Sequence, residues 1–470
     1  MSYSNKIIKR IYDSVPYKLK VLFTSIYGLQ QRQKRYGKTY FEQVKFLNDA
    51  QYWDRKKLEV YQNNRLRGFM SDIYNKIPYY NNNPQYKILS KEFSSIHDFP
   101  ILPKQLVKQN LKDYYNPDQK KIVWGHTSGT TGSPMTFPIS LEAYQKEYAF
   151  RNMHYQWSGL GLHNRQKIAM CSAHPVSWHG RNKPPYWTYD MANNHLYFST
   201  SHLSGSNFKY YIKKLEEFDP LLLHGHPSSI YLLALAYKKY GTKKLSLKSV
   251  YTSSESLLDF QRQKIESIFQ MKVFNWYGTS EMTANIVECE KGELHLKEEH
   301  SFVEILNSEN QPCGPGETGR IISTNFNNLA FPLIRYDIGD TVVVSKNQNS
   351  KCGRSGLLID SIEGRIDDYI FTPDGRIVGR MSTIFRYAKN VIEAQFEQHS
   401  IEEVIMRIVR GKGYSKEDEI ELLKAVKMRL GNSIRISIDY VDQIPRTSNG
   451  KFRFIISKID PSYIKTSLEV

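Results

Sequence analysis

The residues best suited to chemistry form a short loop, residues 127–134, with the sequence Thr-Ser-Gly-Thr-Thr-Gly-Ser-Pro. Its eight residues include five hydroxyl side chains and two glycines, and none of them carries a charge. Such a segment bends tightly and can direct backbone N–H groups and hydroxyls toward an anion. The composition therefore indicates a polyphosphate-binding loop, although a polar surface turn has a similar composition.

This loop differs from a P-loop. A P-loop ends in Gly-Lys-Ser/Thr and leads into a helix whose N-terminus lies under the phosphates. Here Met135 stands where a lysine would be, and residues 136–139 have the pattern of a strand. Together with the strand predicted at residues 121–124, this makes the loop the tip of a hairpin that folds over phosphates as a lid.

A second candidate segment, residues 276–281, follows the apolar strand predicted at residues 273–277. Open α/β sheets bind ligands at the carboxyl ends of their strands. Tyr277 offers a ring to a base, Ser280 offers a hydroxyl to a phosphate, and Glu281 offers a hard oxygen to Mg²⁺. The structural alternative is a turn that buries an aromatic side chain.

Further polar groups stand downstream. Asp340, beside Gly339, can accept hydrogen bonds from both hydroxyls of a ribose, and Arg365 can add a ribose or phosphate contact. Lys451 follows a turn at residues 448–450 and starts a β-run, which makes it a candidate mobile cation. Each of these segments, taken alone, is equally explained as a charged turn.

Strands and helices alternate in the part of the chain that must position these segments. Helical patterns fill the first hundred residues; a helix is predicted after Ser140, strands at residues 247–252 and 273–277, and a helix at residues 257–269. This alternation predicts an α/β fold. The last hundred residues follow a break near Asp367 and predict a helix–strand–helix–strand stretch with a final hairpin. We therefore predict a large domain over residues 1–366 and a small domain over residues 367–470.

The composition is that of a globular protein. The chain has 470 residues, of which 40% are hydrophobic and 24% charged, so that two or more domains are expected. The sequence contains no run of 18 apolar residues that would predict a transmembrane helix, and no signal-peptide pattern. Four cysteines are too few for a disulfide framework and indicate a reducing, cytoplasmic compartment.

The net charge of +18 favours contact with anions, or reflects scattered solvated lysines. No nucleic-acid-binding motif is present, so nucleic acid is not predicted as a partner. The first 28 residues are basic, with lysine or arginine at positions 6, 9, 10, 18 and 20. This segment is a candidate for peripheral contact with the inner face of a membrane.

Two groups of histidines and cysteines need separate treatment. Cys289, His295 and His300 fall within twelve residues, and Cys352 is a further candidate in space, but the spacing matches no standard zinc module and zinc is not predicted. His226 precedes an apolar helical run at residues 230–237. Its position before that run is explained by a packed or capping histidine.

Taken together and in this order, the segments between residues 127 and 453 resemble those of the adenylate-forming superfamily, which includes acyl-CoA synthetases, nonribosomal adenylation domains and luciferases. The chain is similar to the phenylacetate–CoA ligase branch in the segments at residues 77–80, 102–104 and 352–354. It is more similar still to relatives associated with capsular polysaccharide biosynthesis in the segments at residues 201–204, 225–229 and 372–376.

The resemblance implies a large multi-sheet N-terminal domain and a small, mobile α+β C-terminal domain. It also implies roles for individual residues. The β- and γ-phosphates of ATP would be held by Thr127, Ser128, Gly129, Thr130, Thr131 and Gly132. Adenine would be lined by Ser254, Glu255 and Tyr277, with Gly278 in the same motif; Ser280 would reach the α-phosphate, Glu281 would hold Mg²⁺, and Asp340 would bind the ribose with Arg365 nearby. Asp367 would be the hinge, Lys451 and Glu281 would be catalytic, and His226 would lie near the acyl pocket.

The implied reaction joins ATP and a small carboxylic acid into an acyl-AMP, releases pyrophosphate and passes the acyl group to an acceptor. After residues 363–368 the continuation usual in CoA ligases is missing, which argues against CoA as that acceptor. The association of the relatives with capsule synthesis suggests an amino sugar, an amine or a carrier instead. Three alternatives stay open: a phenylacetate–CoA ligase-type enzyme, an adenylyltransferase that acts on a hydroxyl, and a non-catalytic nucleotide-binding scaffold in polysaccharide assembly.

Overall fold

The structure is a computed structural model of the chain. It describes the residues in the following ranges: 15–73, 75–91, 93–127, 135–172, 183–203, 205–257, 259–363, 369–378, 381, 384, 390–445 and 454–459.

Eleven α-helices lie in these ranges. They are α1 (Tyr17–Arg35), α2 (Lys38–Ala50), α3 (Arg55–Ile73), α4 (Pro78–Asn81), α5 (Pro84–Lys91), α6 (Lys104–Gln109), α7 (Leu141–Gln156), α8 (Phe208–Phe218), α9 (Pro227–Tyr240), α10 (Asp259–Phe269) and α11 (Lys416–Leu430). Short 3₁₀ helices occur at Ile96–Asp98, Leu111–Tyr114, Leu162–Asn164, Thr200–His202 and Gly205–Asn207. Among the described helices, none is long and apolar enough to cross a membrane.

The described strands number 21. The first eleven are β1 (Leu102–Pro103), β2 (Ile122–His126), β3 (Thr136–Ser140), β4 (Ile168–Cys171), β5 (Trp187–Asp190), β6 (His195–Phe198), β7 (Leu222–Gly225), β8 (Ser249–Ser253), β9 (Val273–Gly278), β10 (Asn285–Glu288) and β11 (Leu294–Leu296). The others are β12 (Phe302–Leu306), β13 (Thr318–Thr324), β14 (Tyr336–Val344), β15 (Leu358–Glu363), β16 (Ile370–Phe371), β17 (Ile377–Val378), β18 (Val391–Ser400), β19 (Glu403–Arg410), β20 (Arg435–Tyr440) and β21 (Ile455–Ser457).

Thirteen of these strands form one sheet with two unlike halves. Its order is β12-β13-β14-β15-β11-β10-β9-β8-β7-β4-β6-β5, with β1 added beside β14. From β6 to β9 neighbouring strands are parallel, while from β9 to β12 they are antiparallel. The parallel half needs helical crossovers, which α9 and α10 supply, and such strands are buried on both faces.

The local predictions for this region are confirmed. The helix expected after Ser140 is α7, and the Ser140 hydroxyl caps it by accepting a hydrogen bond from the Ala143 N–H at 3.2 Å. The expected strands at residues 247–252 and 273–277 correspond to β8 and β9. The helix predicted between them is α10. The α/β fold class is thereby confirmed as well.

Two large hydrophobic clusters support the halves of the sheet. The antiparallel half packs against α3 through residues such as Leu66, Phe69, Ile73 and Tyr336. The parallel half packs against α8, α9 and α10 through a second cluster that includes Leu223 and other fully buried side chains. Each half therefore has its own core, and β9 lies where the two halves meet.

The C-terminal region has a separate four-stranded sheet in the order β20-β19-β18-β21. Helix α11 covers it, and Phe396, Met406, Leu422, Val426 and Ile455 are buried together between them. The element order differs from the predicted helix–strand–helix–strand stretch, because β18 and β19 form a hairpin before α11. The predicted final hairpin at residues 448–450 and the predicted boundary at Asp367 lie outside the described residues.

Candidate active site

The carboxyl ends of four parallel strands meet at one edge of the sheet. Cys171 at the end of β4 pairs with Gly225 of β7, which pairs with Thr252 of β8. One residue further along β8, Ser253 pairs with Trp276 of β9. Because ligands bind at this edge of open α/β sheets, the residues that follow these strands are the candidates for a binding site. The predicted site residues His226, Ser254, Glu255, Tyr277, Gly278 and Ser280 all stand there.

Tyr277 and Asp340, predicted from separate segments, are in direct contact. The Tyr277 hydroxyl donates a hydrogen bond to Asp340 Oδ2 at 2.8 Å. In sheet order β14, which carries Asp340, is separated from β9 by three strands. The antiparallel half must therefore curl back toward the end of β9. The contact places an aromatic ring and a carboxylate together, as a base and its ribose would require.

A local irregularity in β14 accompanies the position of Asp340. The register between β13 and β14 shifts between the pairs Arg320–Thr341 and Ile322–Asp337, so β14 contains extra residues at this point. Gly339 within the bulge has a φ of +85°, a conformation that glycine adopts without strain. Bulges of this kind redirect side chains. The glycine before the aspartate is therefore part of what turns Asp340 toward Tyr277.

Glu281 is buried at the start of the turn between β9 and β10, and only 3% of it is exposed. Its Oε1 accepts hydrogen bonds from Lys104 Nζ at 2.9 Å and from the Tyr336 hydroxyl at 3.0 Å. Lys104 reaches it because β1 runs parallel to the start of β14, with Leu102 opposite Tyr336. Helix α6 begins at Lys104 itself. Two distant segments thus converge on one carboxylate.

The electrostatics keep this carboxylate ionised. Burial by itself opposes ionisation, but the positive charge and hydrogen bond of Lys104, with the hydrogen bond from Tyr336, outweigh it and lower the pKa of Glu281. A carboxylate accepts about four hydrogen bonds, and two donors occupy a single oxygen here. Glu281 can therefore serve as an anionic ligand for a hard cation such as Mg²⁺.

The segment after β8 forms the opposite wall of the edge. Ser254 has a φ of +72°, in the left-handed region that is uncommon for residues other than glycine. The Glu255 carboxylate accepts a hydrogen bond from the Ser228 N–H in the first turn of α9 at 3.2 Å. Negative charge is favourable at a helix N-terminus. Glu255 is thus held against the N-terminus of α9.

His226 is the N-cap residue of α9 and is 4% exposed. Its Nδ1 lies 3.3 Å from the Ser253 carbonyl oxygen, a contact that links the ends of β7 and β8. The neighbouring His224 bridges the Tyr155 hydroxyl and the Ser253 hydroxyl at 2.5 and 3.1 Å. His226 is therefore a buried residue at the N-terminus of α9, at the same edge as the other candidates.

The turn that carries Ser280 is held by its own side chains. Thr279 Oγ1 lies 2.9 Å from Thr283 Oγ1 and accepts a hydrogen bond from the Thr283 N–H. The Ser323 hydroxyl of β13 donates to the Thr283 carbonyl, which anchors the turn to the antiparallel half of the sheet. Gly278 and Ser280 are exposed on the outside of this turn. Their backbone and hydroxyl are open to solvent, while Glu281 beside them is buried.

The hydroxyl-rich segment is flanked in the chain by two paired strands. Strands β2 and β3 pair antiparallel from Ile122–Ser140 to His126–Thr136, as the sequence predicts. Thr127 closes the pairing, because its N–H donates to the Met135 carbonyl at 3.0 Å and its Oγ1 accepts from the Met135 N–H at 2.9 Å. The hydroxyl of Thr127 is therefore used within the hairpin base.

Several predicted site residues lie outside the described residues. They are Ser128, Gly129, Thr130, Thr131, Gly132, Arg365, Asp367 and Lys451.

One functional neighbour was missed by sequence reasoning. Lys104 belonged to a segment that the sequence marks only as a family similarity, yet it is the charged partner of Glu281. The two residues are 177 positions apart, and nothing local to either one signals the pairing. Pro103, the N-cap residue of α6, indicates only that a helix begins at the lysine, and the pairing itself depends on β1 joining β14.

Comparisons with known proteins found related sequences over most of the chain. A family model described as the CapK C-terminal domain matches residues 370–458. Protein CapK of Staphylococcus aureus is 29% identical over 466 residues, which cover 96% of this chain and 100% of CapK. The phenylacetate–coenzyme A ligase of Thermus thermophilus is 22% identical over 446 residues, which cover 86% of this chain and 97% of the ligase.

A solved structure shares the fold. It is 2-hydroxyisobutyryl-CoA ligase, in complex with 2-HIB-AMP and CoA in the thioesterification state. The match has a TM-score of 0.57 at 18% identity and covers 87% of this chain and 91% of that chain. At this identity the likeness concerns the fold, which is that of a large α/β domain followed by a small C-terminal domain.

Proposed function

We propose that this chain, which is similar to CapK and to phenylacetate–CoA ligases, is an adenylate-forming ligase that activates a small carboxylic acid with ATP as an acyl-AMP. The observation that most supports this is the arrangement at the carboxyl edge of the sheet. There Tyr277 contacts Asp340, and the buried Glu281 follows in the next turn. A ring, a carboxylate for a diol and an anionic oxygen for a cation are the groups that a bound nucleotide needs.

In our proposal, the following contacts position the nucleotide. The Tyr277 ring packs on adenine, and residues Ser254 and Glu255 line the other side of the base. Asp340 accepts from the ribose hydroxyls with Arg365 nearby, and Ser280 contacts the α-phosphate. The loop of residues 127–132 folds over the β- and γ-phosphates, where its backbone N–H groups face negative charge. Gly278 fits the neighbouring side chains closely, since a Cβ there would lie 2.6 Å from Trp276 Nε1 and 2.7 Å from Asn285 Oδ1.

Glu281 is the residue that would hold Mg²⁺, which supplies positive charge against the phosphates when it is bound. Lys104 already occupies Glu281 Oε1, so the carboxylate is kept ionised and oriented before any ligand arrives. The Lys104 ammonium lies 5.6 Å from the centre of the Tyr336 ring, which gives it a second place of contact if it withdraws from Glu281. The residues therefore fit the cation.

The first half-reaction is a displacement at phosphorus. A carboxylate oxygen of the acid forms a bond to the α-phosphorus of ATP, the bond from that phosphorus to the bridging oxygen of the β-phosphate breaks, and pyrophosphate leaves with the electron pair. Both reactants are anions, so their repulsion opposes the reaction. Lys451 and the N–H groups of the phosphate loop stabilise the charge that develops in the transition state. His226 orients the acid from the wall formed by α9.

The second half-reaction follows when the small domain turns about Asp367, as we propose for the predicted domain of residues 367–470. A nucleophile attacks the acyl carbon, loses its proton, and AMP departs. We propose an amino sugar, an amine or a carrier as this nucleophile, in the synthesis of a capsule or another surface polysaccharide. The relation to CapK supports the setting of this proposal.

The segment that departs from the CoA-ligase pattern has a structural use here. Strands β16 and β17 form a hairpin, and Asp374 in its turn pairs with Arg376 Nε at 2.8 Å. Arg376 also donates to the carbonyl oxygens of Arg429 and Leu430 at the end of α11. A cation at a helix C-terminus is favourable. This hairpin therefore docks onto the C-terminal end of α11.

A screen of pyrophosphate release tests the proposal. The protein is incubated with Mg²⁺-ATP and a panel of carboxylic acids, first alone and then with CoA, amines or amino sugars. We expect release that depends on a particular acid and increases with an amine or amino sugar. Release that needs no acid would favour a hydroxyl-directed adenylyltransferase, rapid acyl-CoA formation would favour a CoA ligase, and nucleotide binding without release would favour a scaffold.

We also propose that α1 holds the protein against an anionic membrane. Its outer face exposes an apolar stripe, with Leu19, Leu22, Phe23, Ile26 and Leu29 each 37–51% exposed. The side toward the protein is polar and small instead, since Ser25 and Gly28 lie against the end of β5. An apolar stripe on a helix with basic neighbours suits a membrane interface, and the net charge of +18 favours anionic lipid.

Vesicle co-sedimentation tests this surface. We expect binding to vesicles that contain an anionic phospholipid, weak binding to neutral vesicles, and loss of binding in the double variant Leu22→Glu, Ile26→Glu. Ile88→Glu is the matched control, because Ile88 is an exposed apolar residue on α5 with 59% exposure. Equal binding of both variants, or a dimer by light scattering that the double variant disrupts, would overturn the membrane proposal.

A further inference from the structure

Four potential metal ligands converge outside the nucleotide edge. The donor atoms of Cys289, Glu293, His295 and Cys352 all lie within 4.8 Å of one another. They come from two places in the chain. Three of them are on the hairpin between β10 and β11, and Cys352 is on the loop between β14 and β15. This convergence is independent of the residues proposed for adenylation.

The hairpin presents its three donors through a tight turn. Cys289 directly follows β10 and Glu293 directly precedes β11, and the Cys289 N–H donates to the Glu293 carbonyl at 2.9 Å. The Gly292 N–H donates to the Cys289 carbonyl at 2.9 Å, and Gly292 has a φ of +81° that suits glycine. His295 is in β11, two residues after Glu293. The turn therefore brings a thiol, a carboxylate and an imidazole to one side.

Both sulfur atoms receive backbone N–H groups in the same way. The Lys291 N–H, two residues after Cys289, donates to Cys289 Sγ at 3.4 Å. The Arg354 N–H, two residues after Cys352, donates to Cys352 in turn. N–H groups aimed at sulfur suit a sulfur that carries negative charge, and the thiolate is the form that binds metals. Two separate turns thus have the same local arrangement around their cysteines.

The other two donors are also oriented by backbone groups. His295 Nδ1 lies 3.2 Å from the Ser355 carbonyl oxygen, so it carries the proton, and Nε2 is left as an acceptor 3.4 Å from Cys352 Sγ. The Glu293 carboxylate accepts from the Lys351 N–H at 3.0 and 3.2 Å. Metal-bound histidines are held in this manner, by a carbonyl or carboxylate on the other ring nitrogen.

We propose that these four residues bind one zinc ion in a tetrahedral Cys₂-His-Glu site. Two thiolates and an imidazole are ligands that zinc prefers, and four protein ligands make a closed, structural site. Binding releases the thiol protons, and the zinc joins the β10–β11 hairpin to the β14–β15 loop. The zinc would hold the same loop that Arg354 anchors by lying over the Trp157 ring at 4.2 Å and pairing with Glu290 at 2.7 Å.

The ligand set differs from the one considered in the sequence. His300 is not a member, because its Nε2 lies 3.1 Å from the buried Glu147 carboxylate instead. Glu293 takes its place. The spacing matched no standard module because standard modules draw their ligands from short motifs, whereas here Cys352 is 57 positions from His295. The objection from spacing therefore does not apply to the folded chain.

Elemental analysis of the protein purified under reducing conditions, without an affinity tag that binds metal, is the direct test. We expect about one zinc per chain, as for other structural sites of this kind. After removal of zinc with a chelator, Co²⁺ should rebind and give the absorption bands of a tetrahedral cobalt–thiolate centre. Melting temperature should fall on zinc removal and recover on zinc addition, because metal binding and folding are coupled.

Variants locate the site. Cys289→Ser and His295→Gln should each lose most of the zinc, while Cys313→Ser should keep it, because Cys313 is a free cysteine outside the cluster. Should a ligand variant fail to fold, the wild-type metal content and cobalt spectrum decide the matter alone. A wild-type protein from zinc-rich medium that contains no zinc and shows no cobalt–thiolate bands would overturn the proposal. A Cys289–Cys352 disulfide in the protein isolated from the reducing cell interior would overturn it equally.

Discussion

The two ends of β10 carry polar clusters that differ in how their negative charge is balanced. Before the strand, the Glu281 carboxylate meets the Lys104 ammonium at 2.9 Å and the Tyr336 hydroxyl at 3.0 Å. After the strand, Cys289 and three other donors converge within 4.8 Å of one another, with backbone N–H groups behind them. The first cluster holds its own cation, whereas the second is shaped as a set of ligands.

This difference separates two uses of a buried anion. A carboxylate paired with a lysine from a different segment can exchange that partner when a nucleotide and its cation arrive, so the pair suits a site that changes during turnover. A closed set of thiol, imidazole and carboxylate ligands suits an ion that stays. Both clusters flank β10. A zinc ion held permanently by the second cluster would therefore stiffen the β10–β11 hairpin next to the first cluster.

Replacing Glu281 should have the largest effect on ATP–pyrophosphate exchange. It should affect only the cluster before β10. Glu281→Gln removes the anionic ligand while keeping the size of the side chain, and leaves Lys104 with a weaker partner. We expect acid-dependent ATP–pyrophosphate exchange to fall by roughly 10²–10³-fold, the usual loss for one electrostatic contact to the transition state. Zinc content should stay unchanged. The matched control is Glu309→Gln, an exposed carboxylate in a turn between β12 and β13.

Exchange near the wild-type level in Glu281→Gln would remove Glu281 from the proposed catalytic groups. Loss of zinc in this variant would contradict the independence of the two clusters, because it would mean that the turn before β10 supports the hairpin after it. Pyrophosphate exchange therefore tests the cluster before β10, and zinc content tests the cluster after it.

Replacing Lys104 should change the pH dependence of the same site. Lys104 lowers the pKa of Glu281, so in the folded protein the carboxylate stays ionised further into acid than a free glutamate. Lys104→Met removes this effect and leaves burial, which raises the pKa. We expect the acid limb of the pH–rate profile for pyrophosphate release to move to higher pH in the variant. Lys112→Met, at an exposed position in the next short helix, should leave that limb where it is.

The sign of the stability change follows from the same shift. A carboxyl group with a lowered folded-state pKa stabilises the fold above its unfolded pKa, and that contribution is lost as pH falls through the folded value. Lys104→Met should therefore flatten this part of the pH dependence of urea unfolding below pH ~4.3, the unfolded glutamate pKa. An unchanged acid limb together with an unchanged unfolding profile would show that Lys104 does not control the ionisation of Glu281.

The sequence alone predicts much of the cluster before β10 and little of the cluster after it. Tyr277, Glu281 and Asp340 stand in short segments with recognisable chemistry, and the strands and helices around them follow from local apolar patterns. The Lys104–Glu281 pair was not predictable in this way, since it depends on β1 joining β14 across more than two hundred positions. The same holds for Glu293 and Cys352, whose proximity depends on the β11–β15 pairing.

The bulge in β14 is a further feature that depends on long-range strand pairing. The residues Gly339 and Asp340 are visible in the sequence, but the register shift that redirects Asp340 arises from the different numbers of residues that β13 and β14 contribute to their ladder. The Asp340–Tyr277 contact in turn requires the sheet to curl. Local patterns specify which side chains are available, and the long-range pairing decides which of them meet.

The smallest effect we expect comes from the Tyr277 hydroxyl. Tyr277→Phe keeps the ring for adenine and removes the hydrogen bond to Asp340, whose length is 2.8 Å. A single hydrogen bond contributes about 1 kcal/mol, so the KM for ATP should rise roughly fivefold while kcat changes less. Tyr240→Phe, at an exposed tyrosine at the end of α9, is the matched control. An unchanged KM in Tyr277→Phe would mean that Asp340 reaches the ribose without help from Tyr277. The cluster before β10 would then consist only of Glu281, Lys104 and Tyr336.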